Sequence, residues 1–332
     1  MKGRGCNCLT IMVKTVSESV AEESWIPMTL SLHTGERVHV IVYNDFEKDR
    51  VSRLLDARGC NMQQVDFYTW PTDDVWVRDN GPISVFDESD QLHVTDWGFN
   101  GWGKRYGYKR SNMIPKLVAS ALNLPCTTKP MINEGGAVEL DGNGTLMAKR
   151  SSILNRNRNP GWTQEDAEAY FRGYLGATNF IWLPGAEGQD ITDDHIDGTA
   201  RFADENTIVT FYRKDYMEPR EYDILANAVN AQGKRYRLVH LPLTTRKMVR
   251  GDYGSYINFY VANSVGLVPS FDDPNDQVAA GELQAIYGDR RKVVLIPMKE
   301  ALKDGGMVHC VTQQQPRHRI DDDSAIRKAI VR

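Results

Sequence analysis

The chain has 332 residues, of which 41% are hydrophobic and 25% charged, with a formal net charge of −4. This is an ordinary soluble composition without the basic footprint of a nucleic-acid binder, so no nucleic-acid partner is expected. No apolar run approaches the roughly eighteen residues a membrane helix needs, and the run at residues 9–13 is too short for a secretory signal.

In chain order, helical patterns begin near Phe46, Asn112, Thr163, Glu221 and Gln277. Thr163 followed by Gln-Glu-Asp is typical of a helix start. Each helix leads directly into a short strand, at residues 64–70, 127–132, 179–183, 235–241 and 292–297. Four of those strands are followed by a loop and then a hairpin. The hairpins lie at residues 83–86 with 92–95, 137–140 with 145–148, 199–202 with 207–210, and 257–260 with 265–268. Their turns are polar or contain glycine, as tight β connections require. A fifth unit has one strand pattern, at 307–312. Helix starts recur every 50 to 65 residues or so, which indicates a repeated α/β unit within one domain, 1–332, rather than two unrelated domains. A cyclic array of this kind needs an N-terminal strand to complete the fifth unit, and residues 9–13 or 37–42 are the candidates.

The loop before each hairpin carries the polar residues. These are Trp76-Val-Arg-Asp79, Asn133-Glu134-Gly-Gly, Asp190 to Asp197 with His195 between them, Arg250-Gly-Asp252, and Gly305 to Cys310. Equivalent positions of a cyclic repeat converge near its axis, so residues far apart in the chain can share one pocket. A cysteine beside a histidine can become a nucleophilic thiolate. Carboxylates beside the thiol oppose that ionisation. A bound guanidinium removes the conflict, because two carboxylates can grip its planar fork while its charge favours the thiolate. Taken singly, each residue has a bland reading: His195 as a structural histidine, Asp197 as a turn residue, Glu134 as a solvated turn residue and Trp76 as packing. Their recurrence at one point of the repeat weighs against it.

The remaining cysteines fit a reducing cytoplasm. Cys60 and Cys126 read as core residues, and Cys6 with Cys8 lacks a second pair or nearby histidine for a metal site.

In Trp76-Val-Arg-Asp-Asn-Gly-Pro82, Asn133-Glu-Gly-Gly136, Asn155-Arg-Asn-Arg-Asn-Pro160, His195-Ile-Asp197, Ser255-Tyr-Ile-Asn-Phe259 and Gly305-Gly-Met-Val-His-Cys-Val-Thr-Gln-Gln-Gln-Pro316, the chain resembles the agmatine deiminase and bacterial peptidylarginine deiminase family of guanidine-modifying enzymes. The resemblance implies a five-bladed α/β-propeller, the pentein fold. It also implies a hydrolase in which Cys310 attacks the guanidinium carbon to form a thiouronium intermediate. His195 would protonate the leaving ammonia and activate water, Asp79 and Asp197 would hold the guanidinium nitrogens, Glu134 would orient His195, and Trp76 would stack on the cation. Neither metal nor other cofactor is implied. With agmatine the product would be N-carbamoylputrescine, on a route to putrescine and the polyamines. The protonated tail amine would need a partner, with Asp190, Asp193 and Asp252 as candidates.

Two departures from the family pattern stand out. Residues 1–32 match none of its usual opening motifs, and Asp194 occupies the position before the histidine where the family commonly has glycine. Aspartate tolerates left-handed backbone angles better than most residues, so the loop is expected to survive the change. The rival readings are a deiminase of peptidylarginine or another guanidino compound, a non-catalytic propeller that binds a partner, and a cysteine amidase or transglutaminase-like enzyme. The amidase reading would call for one orienting carboxylate and an oxyanion hole rather than several carboxylates around a thiol.

Overall fold

The computed structural model describes residues 8–14, 22–212, 217–249 and 251–316. Among these residues are five sheets of three or four strands and one two-stranded ribbon. Four of the five sheets share one plan. In the third, Val138–Leu140 pairs antiparallel with Thr145–Lys149, and Asn179–Leu183 returns parallel to Thr145–Lys149. The intervening helix, Gln164–Leu175, makes that return possible, since parallel neighbours need a crossover. The second, fourth and fifth sheets repeat the plan with helices Ile114–Ala121, Pro219–Asn227 and Asn275–Tyr287. The fold is a five-bladed α/β-propeller.

The first sheet holds the two ends of the described chain together. Cys8–Lys14 pairs antiparallel with Thr312–Pro316 and parallel with Val38–Val42, which in turn pairs with Val65–Thr69. Both candidate N-terminal strands therefore belong to the fold. The fifth unit's strand begins only at Thr312, so the expected strand at 307–312 is displaced downstream. Residues 307–311 form a loop instead, entered through Gly305 at φ 98°. Residues 22–32, part of the segment that matches no family motif, form the helix Glu22–Leu32, whose Trp25, Ile26, Met28 and Leu32 are buried in the largest apolar core.

Local signals account for several boundaries. Thr163 and Asp166 form a reciprocal capping box at the start of Gln164–Leu175, and Gly176 ends that helix in the left-handed conformation at φ 68°. Every residue of the middle strands Val38–Val42, Thr145–Lys149 and Thr207–Phe211 is buried, which explains why they read as continuous runs rather than alternating ones. Cys60 is buried as expected, whereas Cys126 is exposed on the short third strand of the second sheet. Cys6 lies outside the described residues. No helix among the described residues is long and apolar enough to cross a membrane.

Candidate active site

The loops that precede the hairpins meet at Gly136. A methyl group placed on this glycine would stand 2.7 Å from Asp79 Oδ1, 2.7 Å from His195 Nδ1 and 3.1 Å from Asp197 Oδ2. Three ionisable groups from two loops, Asp79 on one and His195 with Asp197 on the other, thus face one small volume against a third loop, and only the absence of a side chain at Gly136 keeps it open.

Asp79 sits on the helical turn Val77–Asn80. Its Oδ1 accepts a hydrogen bond from the Gly136 backbone N–H at 3.0 Å, and its Oδ2 accepts one from Trp102 Nε1 at 2.8 Å. The neighbouring Arg78 turns the other way, toward the Gln313 side chain and the His309 carbonyl. Burial pushes the Asp79 carboxyl above its usual value, with Glu134 adding to the effect and His195 opposing it.

His195 is held from both ring nitrogens. Nε2 lies 3.1 Å from Glu134 Oε2 and Nδ1 lies 3.6 Å from Asp79 Oδ1. Burial alone would lower the imidazole's pKa, but Asp79, Glu134 and Asp197 outweigh it and raise the value from 6.5 to about 9. The three carboxylates therefore favour the imidazolium form of His195. Glu134 is in turn fixed by Arg158 Nε at 2.7 Å. Burial would raise the Glu134 carboxyl, yet His195 and Arg158 hold it below its usual value.

Asp197 Oδ2 lies 2.7 Å from His309 Nδ1 and accepts a hydrogen bond from Asn258 Nδ2 at 3.1 Å. Burial, supplemented by Asp79 and Glu139, raises its carboxyl to about 7 against the pull of His195 and Arg201. Burial likewise pushes the Cys310 thiol well above its usual value, with Asp197 and Asp79 adding to the shift. Half-buried Cys310 is anchored by its carbonyl, which accepts the Arg78 N–H at 3.1 Å. Burial and the two carboxylates thus favour the protonated thiol. A cation between Asp79 and Asp197 would favour both carboxylates and the thiolate.

This geometry is matched by similarity along nearly the whole chain. A profile of the Porphyromonas-type peptidyl-arginine deiminase family matches residues 14–316. The chain belongs to that family. Agmatine deiminase of Pseudomonas putida is 34% identical to it, with 91% of this chain and 86% of the relative aligned. Among solved structures, agmatine deiminase of Enterococcus faecalis superposes with a TM-score of 0.83 at 22% identity, covering 93% of each chain. An agmatine deiminase of C. jejuni with substrate bound gives 0.81, also at 22% identity and 93% coverage of each. These two structures speak to the fold.

Within this family member, the other expected residues fall in different places. The Trp76 side chain is buried in the main core, with its six-membered ring against Gly306, where any Cβ would stand 2.3 Å from it. Asp190 is exposed, and its carboxylate organises the loop by accepting hydrogen bonds from the N–H and Oγ1 of Thr192, each at 2.7 Å, and from the N–H of Asp194 at 3.1 Å. Thr192 Oγ1 then accepts the His195 N–H at 3.1 Å. Asp193 is a correction to the expected tail site. Its buried carboxylate is committed to the guanidinium groups of Arg105 and Arg158, to Asn157 and to the Gly188 N–H, which together hold its pKa below the usual range against the effect of burial. Asp252 is exposed in the turn between Leu243–Lys247 and Tyr253–Ser255, and Arg250 lies outside the described residues.

The fourth unit reaches the site through Asn258 instead, a residue within one of the family-like segments. Trp102 was also not anticipated. It takes φ 52° in a loop and touches no periodic pattern, so only the Asn-Gly-Trp-Gly run at residues 100–103 hinted at a special turn. Among the described residues, no group of three or more His, Cys, Asp and Glu side chains is arranged to hold a metal ion.

Proposed function

We propose that this protein hydrolyses agmatine to N-carbamoylputrescine and ammonia, with Cys310 as nucleophile. The observation that carries the reading is the convergence of Asp79, His195 and Asp197 within 3.1 Å of one point at Gly136, beside a thiol that burial and two carboxylates keep protonated. A cationic guanidinium is the ligand that this charge distribution lacks, and the relative with 91% of this chain aligned is an agmatine deiminase.

Asp79 and Asp197 accept hydrogen bonds from the guanidinium nitrogens, and the incoming charge releases the thiol proton to solvent. The thiolate attacks the guanidinium carbon. The imidazolium of His195 gives its proton to one amino group, the carbon–nitrogen bond breaks, and ammonia leaves a thiouronium on Cys310. Neutral His195 then takes a proton from water, whose oxygen adds to the same carbon. Collapse expels the Cys310 thiolate, and loss of one proton gives the ureido product. Glu134, fixed by Arg158, keeps His195 oriented through both proton transfers.

The test is to incubate the protein and a Cys310→Ser variant with agmatine, free arginine and a blocked arginine peptide, then quantify ammonia and ureido product. Product from agmatine that disappears in the variant is expected. Product from the peptide or from arginine alone would keep the mechanism and replace the substrate. No product from any of the three, with folded protein, would overturn the reading.

A further inference from the structure

We propose that Arg105 is a positioning residue. From the protein surface it holds, through Asp193, both the loop that carries His195 and the Arg158–Glu134 pair that orients the imidazole. The inference rests on the deimination reading above. Arg105 follows Trp102, the donor to Asp79, by three residues, and its side chain is one-third exposed. The guanidinium reaches a carboxylate 88 residues further along the chain. Nη1 and Nη2 each lie 2.9 Å from one oxygen of Asp193, a two-pronged contact, and Nη1 also donates to the Ile191 carbonyl. Asp193 Oδ2 is shared with Arg158 Nη1. Arg158 Nε in turn donates to Glu134 Oε1 at 2.7 Å, and Glu134 Oε2 lies 3.1 Å from His195 Nε2. Five side chains of alternating charge thus run from the surface to the imidazole, each in contact with the next.

An exposed ion pair ordinarily contributes little, but this one ends in a buried network. The side chains of Asp193, Arg158 and Glu134 are each 1% exposed, so two carboxylates are buried with one guanidinium between them. Arg105 supplies the second cation on Asp193 and leaves Arg158 to brace Glu134. The backbone depends on the same contact. Asp193 and Asp194 take φ 61° and 70°, two consecutive non-glycine residues in the left-handed region immediately before His195. Such backbone persists only where its surroundings over-determine it. At Asp193 the surroundings are Arg105 from the second unit, Asn157 and Arg158 from the third, and the Gly188 N–H of the loop itself. Arg105 is the member of that set that joins the loop to another unit. Without it the segment relaxes, and the side chain next in line to move is His195.

The experiment compares Arg105→Met, which removes the charge and the donors, with Arg105→Lys, which keeps the charge and one arm of the contact. The imidazole nitrogens of His195 are read by NMR in protein carrying isotope-labelled histidine, at neutral pH and without substrate. They are assigned by their loss in His195→Asn, and kcat and KM for agmatine are measured alongside. Arg105→Met is expected to displace or split the His195 signals. It should lower kcat about 100-fold and leave KM within about threefold, as a displaced reacting group does. Arg105→Lys should retain about a tenth of the parent kcat. A residue that only stabilised the fold would lower the melting temperature and move neither the imidazole signals nor kcat of the folded enzyme. Parent-like His195 signals in folded Arg105→Met, or a parent-like kcat with only KM raised, would overturn the proposal. If Arg105→Met does not fold, Arg105→Lys decides by the same two readouts. The imidazole signals need no substrate, so failure of agmatine as substrate and failure of Arg105 as a positioner are separate results.

Discussion

The ammonium of Lys149 stands 2.6 Å from the carboxylate of Asp194, one residue before His195. Lys149 is 2% exposed, and Glu221 Oε2 is 3.5 Å from the same nitrogen. Asp194 itself takes φ 70°, the conformation for which glycine is the usual residue. The side chain that replaces glycine here thus turns away from the imidazole and engages a buried cation at the end of the strand Thr145–Lys149.

Asp194→Gly should therefore act on stability more than on chemistry. Relief of left-handed strain returns about 1 kcal/mol, but removing a partner from a buried cation costs about 3–5 kcal/mol. Denaturant unfolding should show a net loss of a few kcal/mol, limited by the Glu221 carboxylate that stays beside Lys149. Activity of the folded variant should stay within roughly tenfold of the parent, and a thousandfold loss would show that the loop holding His195 depends on the pair.

Trp102→Phe deletes the donor to Asp79 Oδ2 while keeping the aromatic packing against Phe99 and Tyr106. A hydrogen bond to a buried charged group contributes about 1.5–3 kcal/mol, so kcat/KM should fall roughly 10- to 100-fold. An unchanged value would mean that Asp79 needs no help from the indole.

Gly136→Ala fills the point where the three loops meet. The backbone at this position has no positive φ, so alanine is conformationally admissible, but its methyl would lie 2.7 Å from both Asp79 Oδ1 and His195 Nδ1. Binding measurements should show a folded protein that no longer takes up agmatine. Retained affinity would place the guanidinium elsewhere.

Guanidinium binding should release a proton. The Asp197 carboxyl, raised to about 7 in the empty site, ionises when a cation arrives. Calorimetric titration of Cys310→Ser with agmatine near pH 6.5, repeated in buffers of different ionisation enthalpy, should give close to one proton released. A buffer-independent enthalpy would contradict the charge balance described here.

The pH dependence of stability follows from His195. Its folded pKa, about 9, lies above the ordinary 6.5, so its contribution is fully present below pH 6.5 and is lost as pH rises through 9. One pKa unit is worth about 1.4 kcal/mol, and the loss over this window is on the order of 3 kcal/mol. Melting temperatures of the empty protein should fall from pH 6.5 to 9, and His195→Asn should flatten the fall. An equally steep fall in the variant would assign the effect to other groups.

The repeat was readable because its signals are local. Helix starts near Phe46, Thr163 and Gln277 appear as Asp45–Asp56, Gln164–Leu175 and Asn275–Tyr287, and the strands at 179–183 and 292–297 appear with those bounds. The fifth unit misled because Met307, Val308 and Val311 are apolar like a strand yet are buried as a loop, while the true strand is the polar run Thr312–Pro316 paired with Cys8–Lys14. Asp193 misled for a different reason. Its partners Arg105 and Arg158 lie 88 and 35 residues away, and nothing near it in the chain announces that its charge is already taken. Asn258 was hidden in the same way, since its amide gains meaning only beside Asp197 and Cys310.

The pairing of Cys8–Lys14 with Thr312–Pro316 also has a temporal side. Cys310 lies two residues before that last strand, so the ribosome delivers the sulfur after every other residue of the pocket has been made. On the proposed mechanism, a growing chain carries His195 and the carboxylates before it carries the nucleophile, and Cys310 is made just ahead of the strand that pairs with Cys8–Lys14.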